Sequence, residues 1–279
     1  MSRDFSLGSR LLTVEGLGLS YGPKVILRDV NLKVDNIKRP GLTQGQVVAL
    51  LGPSGVGKTQ LFKCLAGLQR STSGKISYRV NPGSDKAAAT YKEPQAGDVG
   101  VVFQSYPLLK HRTIWSNLKL AAGRHQKSDE DVVELMEKFG LTHTKNLYPS
   151  QISGGMRQRV AIIQQVLCSS FYILMDEPFS GLDPINKEIA AKLVLQVSQQ
   201  NEYNTIIVTT HDIEQAVAIA DTIWVLGRDR DDKGDFVPGA YLVKEYDLIA
   251  RGLAWTSDVT AHPNFWPTVR EIKGLFGSI

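Results

Sequence analysis

Long apolar runs are missing from this chain. Nowhere do about 18 consecutive apolar residues occur, so no segment reads as a helix crossing a bilayer. Cysteine is nearly missing too. Cys64 and Cys168 stand at no metal-ligand or redox spacing, and both read as small packing residues of a cytosolic chain. A strong excess of one charge sign is missing as well. The formal net charge is +4 over 279 residues, with no run of Lys or Arg longer than two, which gives no basis for a nucleic-acid partner. Residues Met1 to Arg10 hold no apolar stretch of the kind a signal peptide needs. No internal repeat is found.

What is present is ordinary for a chain that buries a core. Hydrophobic residues make up 42% and charged residues 22%, and the length suits one large α/β domain, alone or with a small appendage. Leu11–Ser20, Val25–Val34 and Lys75–Val80 read as strands, the first two around the turn Tyr21-Gly22-Pro23. Val47–Leu51, Phe171–Met175 and Thr205–Thr210 are apolar on both faces, the mark of strands inside a parallel sheet; Val99–Phe103 is a weaker example. Between them lie helical segments: Thr59–Leu68, Ser128–Phe139, Met156–Ser169, Ile185–Gln200 and Ile213–Ala220. The alternation predicts an α/β fold with a mostly parallel core sheet. Asn81–Asp98 and Arg228–Asp235 read as an exposed connection and a charged turn. In the tail, Phe265, Val269, Ile272 and Phe276 share one helical face.

Gly52-Pro53-Ser54-Gly55-Val56-Gly57-Lys58-Thr59 fits the phosphate-loop pattern, and Gln60 follows it. Glycines let the backbone curl so that N–H groups turn toward phosphate oxygens. Lys58 would reach the outer phosphates of a nucleotide, and the Thr59 hydroxyl would bind Mg²⁺. The pattern arises by chance in roughly one chain of this length per hundred, and its place after a buried strand and before a helix makes chance a poor account. Asp176-Glu177 ends another apolar strand, at the edge where parallel sheets bind ligands. Asp176 suits the metal and Glu177 the attacking water. His211 ends a third such strand and would sense a terminal phosphate. Ser153 is a good N-cap, and Gly154 and Gly155 let a phosphate approach the backbone, although the run Ile152–Arg159 alone reads equally as a well-capped helix.

The order phosphate loop, Gln104, Ser153-Gly154-Gly155, Asp176-Glu177, Ser180-Gly181-Leu182-Asp183, His211 resembles the ABC ATPases over about Leu11 to Leu226. Tyr21 matches the position that stacks on adenine in that family. Ile152 stands where Leu is usual, Met156 where Gln is commonest and Gln60 where Ser or Thr is usual, while Asp35–Thr43 lengthens the gap before the phosphate loop.

The resemblance implies ATP and Mg²⁺ as ligands, with Gln104 serving both metal and catalysis. It also implies a nucleotide-binding cassette over 1–240, with an N-terminal antiparallel β subdomain, a helical subdomain at about 106–165 and a C-terminal extension over 241–279. Two cassettes pair head to tail, so that Ser153, Gly154, Gly155 and Asp183 of one copy complete the site of the other. Permease subunits, contacted near Tyr106–Leu109, complete the transporter, with a substrate-binding protein outside. The chain is then peripheral to the cytoplasmic face of the inner membrane. Its Ser153–Arg159 run and Met175–Pro184 stretch are similar to ATPases of nitrate, sulfonate and taurine importers. Alternatives are a lipid-trafficking ABC ATPase or one that moves no solute. Fewer than a hundred residues separate Lys58 from Ser153, too few for the long coiled coil of the chromosome and DNA-repair members.

Overall fold

A computed structural model describes residues 5–39, 41, 43–83, 89–168, 171–256, 258–277 and 279. Residue Ser169 of the predicted helix, residues 84–88 of the predicted connection, residues 40 and 42 of the lengthened gap, and residues 1–4 lie outside that set.

Among the described residues two sheets form. A four-stranded antiparallel sheet contains β1 (Ser6–Tyr21), β2 (Lys24–Lys38), β4 (Ser73–Arg79) and β5 (Tyr91–Lys92), in the order β2-β1-β4-β5. The second sheet contains β3 (Gln46–Leu51), β6 (Gly100–Val102), β7 (Tyr172–Asp176), β8 (Thr205–Thr209), β9 (Thr222–Gly227) and β10 (Tyr241–Asp247). Its order is β10-β9-β3-β8-β7-β6, all parallel neighbours except the antiparallel pair β10 and β9.

β3 shows why its sequence is apolar throughout. All six of its residues are buried. Val47, Ala49 and Leu51 face a core shared with the helices, while Val48 and Leu50 face a second core shared with the antiparallel sheet. Side-chain alternation along a strand requires both faces to be covered here. The helix α1 (Lys58–Leu65) fills the space between the sheets with Leu61, Phe62 and Leu65.

The other face carries α2 (Ile114–Ala122), α3 (Asp129–Lys138), α4 (Gly154–Cys168), α5 (Pro184–Ser198), α6 (Ile213–Ile219) and α7 (Phe265–Phe276). Ser128 and Asp131 form a reciprocal capping box at the start of α3, and Thr113 caps α2. On α7, Phe265, Val269 and Ile272 are buried and Phe276 is partly buried against the same core. Lys273 of α7 pairs with Glu214 of α6, and Glu271 accepts from both Lys244 and Arg251.

A buried charged cluster fastens the N-terminal ends of β3 and β9. Asp221 accepts from Val47 N–H at 2.7 Å and from Arg39 at 3.0 Å, and also from the Trp255 indole. Arg39 reaches the Gly45 carbonyl at 3.1 Å and lies 3.9 Å above the Trp255 ring. Burial pushes the Asp221 carboxyl up and the Arg39 guanidinium down from their ordinary values, while each partner's charge pulls the other back.

Candidate functional site

The C-terminal ends of the parallel strands gather the predicted residues on one edge. The loop 52–57 leaves β3 and enters α1 at Lys58, one residue before the predicted start. Gly57 has φ 122°, a conformation L side chains rarely adopt. A Cβ on Gly52 would lie 2.6 Å from the Leu226 carbonyl oxygen, so the loop can hug the end of β9 only with glycine there. Lys58 folds over the loop, donating to the Gly52 carbonyl at 2.7 Å and the Pro53 carbonyl at 3.2 Å. Burial pulls its ammonium pKa down, and the nearby charges of Glu177 and Asp176 oppose that shift.

Asp176 is the last residue of β7, and its Oδ1 accepts from the Thr209 hydroxyl at 2.6 Å. Glu177 follows with φ 48°, in the left-handed region. Its N–H is held by the Thr209 carbonyl at 3.0 Å, and its carbonyl accepts from Ser180 N–H at 3.1 Å. Its carboxylate Oε2 lies 2.9 Å from His211 Nδ1. Thr209 is therefore bonded to both acidic residues of the edge, a role that the reading of its strand as a plain apolar run missed. The signal lay in a hydroxyl at the last inward position.

Tyr21, beside the tip of the β1–β2 hairpin, donates its hydroxyl to the Gln60 side chain at 2.9 Å, which brings the ring to the phosphate loop. Thr59 is exposed on the first turn of α1, and so are Ser54 and Gly55 on the loop, while Val56 is buried. Gln104 is exposed two residues beyond β6, whose Val102 pairs with Met175 of β7. The register sets it beside the Asp176-Glu177 end.

Ser153, Gly154 and Gly155 are not on this edge. They open α4 on the helical side and are exposed, with the Ser153 hydroxyl accepting from Met156 N–H at 3.2 Å. Gln158, one turn further, donates to the Pro178 carbonyl at 3.0 Å, linking this helix to the residue after Glu177. Asp183 caps α5, accepting from Asn186 N–H at 3.0 Å. Lys187 on the same helix pairs with Asp212, next to His211, at 2.6 Å. That pair spans 25 residues of sequence and carries no motif.

The glycine cradle, the folded-over lysine, and a hydroxyl and carboxylate at one edge fit a nucleoside triphosphate with a hard divalent cation. Residues 38–180 match the family model described as ABC transporter. The chain is 36% identical over 222 residues to the sulfate/thiosulfate import ATP-binding protein CysA of Thermosynechococcus vestitus, covering 78% of this chain and 61% of that protein. It is 33% identical over 225 residues to the L-cystine import ATP-binding protein TcyC of Bacillus subtilis, covering 76% of this chain and 85% of that one. Thus the match spans about three fifths of the length of the sulfate/thiosulfate relative. Among solved structures, a protein of the cbiONQ ABC transporter complex from Clostridium perfringens superposes with a TM-score of 0.68 at 21% identity, covering 95% of this chain and all of that one. The two-sheet architecture and the relatives agree, and the chain belongs to the ABC transporter family as an ATP-binding cassette.

Proposed function

We propose that this chain is the ATP-hydrolysing subunit of an ABC import system. One observation carries the reading: a single sheet edge holds the phosphate loop, the Thr209–Asp176 bond and the Glu177–His211 bond. The backbone N–H groups of 52–59 and the Lys58 ammonium bind the phosphates. Tyr21 stacks on the adenine. Glu177 orients the attacking water and takes its proton, and His211 is set by Glu177 to meet the terminal phosphate. Thr59, Asp176 and Gln104 would hold Mg²⁺, which when bound offsets the negative charge of the outer phosphates.

Ser153, Gly154 and Gly155 lie away from this edge, which supports a site completed by a second cassette, with Asp183 at the start of α5 as the further contact between copies. No helix among the described residues is long and apolar enough to cross a membrane. In this reading permease subunits complete the transporter, as the relatives named as ATP-binding proteins of import systems suggest, with this chain peripheral to the cytoplasmic face of the inner membrane. Relatives named for sulfate/thiosulfate and L-cystine import support uptake of a small anion or polar solute, delivered by a substrate-binding protein. Their names do not favour nitrate, sulfonate or taurine in particular.

The test is Glu177→Gln in the purified chain. Binding of ATP should persist while hydrolysis falls at least ten-fold, about 1.4 kcal/mol or more on the barrier. Wild-type turnover in that variant sinks the assignment.

A further inference from the structure

Within the segment 228–240, between β9 and β10, Arg228–Asp235 reads in sequence as a charged turn, but its first residues reach into the nucleotide edge. Arg228 donates through Nη2 to the Gly55 carbonyl at 3.1 Å, and its reach to the Val56 carbonyl is 3.5 Å. These are carbonyls of the phosphate loop itself, approached from outside the cradle. A trans peptide is planar, with its C=O and N–H pointing to opposite sides. Holding the Gly55 oxygen outward therefore turns the Val56 N–H inward, and holding the Val56 oxygen outward does the same for Gly57. The Val56 N–H in fact faces across the loop, 3.4 Å from the Pro53 carbonyl that also accepts from Lys58.

The same segment is fastened to the hairpin that carries Tyr21. Ala240 exchanges backbone bonds with this strand: Arg28 N–H donates to its carbonyl at 2.9 Å, and Ala240 N–H donates to Ile26 at 2.9 Å. Asp229 pairs with Arg28 and accepts from the Tyr241 hydroxyl, and the Arg28 guanidinium lies 5.1 Å from the centre of the Tyr241 ring. On the other side of the hairpin, a Cβ at Gly57 would lie 3.2 Å from the Leu27 side chain. Arg228 and Asp229 thus join the phosphate loop to the strand that leads back to the adenine position. The Arg228 Nε–H, meanwhile, is buried without a partner. An apolar side chain would avoid that cost, which favours a role for the guanidinium beyond packing.

The geometry points to Arg228 as a positioning residue for nucleotide binding, fixing two phosphate-loop peptides with their N–H groups inward and coupling them to the adenine-side hairpin. This rests on the nucleotide reading above and adds a residue to it. Arg228 bonds the carbonyls of the loop and not the Glu177–His211 pair, so its effect falls on affinity more than on the chemical step.

The experiment compares the full chain with Arg228→Met, Arg228→Lys and Arg230→Ala, measuring the Kd of a fluorescent ATP analogue, KM and kcat for MgATP, and the melting temperature. Arg230 stacks on Phe236 and bonds the Gly234 carbonyl within its own segment, so Arg230→Ala serves as the control. Losing a charge-assisted anchor should raise Kd about ten-fold in Arg228→Met, with KM rising more than kcat falls. Arg228→Lys should recover part of the loss, and Arg230→Ala should keep the wild-type Kd and KM. Wild-type Kd and KM in Arg228→Met overturn the inference. If Arg228→Met melts well below the wild type, Arg228→Lys decides: a folded lysine variant as weak as methionine, or as tight as wild type, also overturns it. A wild-type chain that binds no nucleotide brings down the functional reading instead, and this inference with it.

Discussion

The two ends of the central sheet treat charge in opposite ways. At the C-terminal ends of β7 and β8, Glu177 and His211 meet through one bond at 2.9 Å, and the His211 side chain is 58% exposed. At the N-terminal ends of β3 and β9, Asp221 and Arg39 are almost fully enclosed, with side-chain exposures of 5% and 3%. The Asp221 carboxylate collects donors from Val47, Arg39 and Trp255. On the proposed reading, the charges that meet water, metal and phosphate keep few fixed partners, whereas the Asp221 carboxylate that holds strands together is filled with donors.

That contrast breaks most plainly at Asp221. Asp221→Ala leaves Arg39 buried without its counter-charge and Val47 N–H without an acceptor, and should lower unfolding stability by about 3–5 kcal/mol. Denaturant unfolding measures it, and nucleotide affinity per folded molecule should stay within two-fold of wild type. A stability loss under about 1 kcal/mol would mean the buried cluster is not the anchor described.

Thr209→Val tests the opposite end. The shape is kept but the 2.6 Å bond to Asp176 is lost, so hydrolysis should fall several-fold, about 1 kcal/mol on the barrier. The melting temperature should move little beside the Asp221 variant. An active-edge variant that unfolds the protein while leaving kcat intact would erase the distinction.

The smallest effect concerns Glu271, a charge anchor on the surface. The neighbouring Arg251 and Lys244 hold its carboxyl at about 2, below the ordinary 4.5. A depressed folded value means the unfolded chain binds the proton first as pH falls. The contribution is therefore complete above about 4.5 and is lost between there and about 2. Its side chain is 38% exposed, so solvent and salt screen the pairs and the worth is below about 1 kcal/mol. Glu271→Gln should flatten acid unfolding across that window, most visibly at low salt.

Much of the active edge was legible because its residues are consecutive. The phosphate loop, Asp176-Glu177 and His211 each end an apolar run, and a parallel sheet brings such ends together. The enclosed end was not legible. Arg39 and Asp221 lie 182 positions apart and share no spacing rule, and Arg228 reads as one more charge in a polar turn. β9 and α2 were passed over for another reason: Ile223–Leu226 and Ile114–Ala122 are short apolar stretches that periodicity separates poorly from their surroundings. β10 pairs antiparallel at the sheet's margin, where Lys244 and Glu245 interrupt the apolar pattern.

Glu177 has one further consequence, through its backbone. Its φ of 48° is a conformation that glycine or asparagine adopts more easily than glutamate, at a strain of order 1–3 kcal/mol. Selection for fold alone would tend to replace it, since Glu177→Gly relieves the strain and removes no buried contact of the core. Only the chemistry proposed for Glu177 opposes that drift. If Glu177 is the base of that proposal, a population of variants screened for solubility and heat resistance would lose its carboxylate early, and a lineage released from transport would bear the mark at this position before its core had changed.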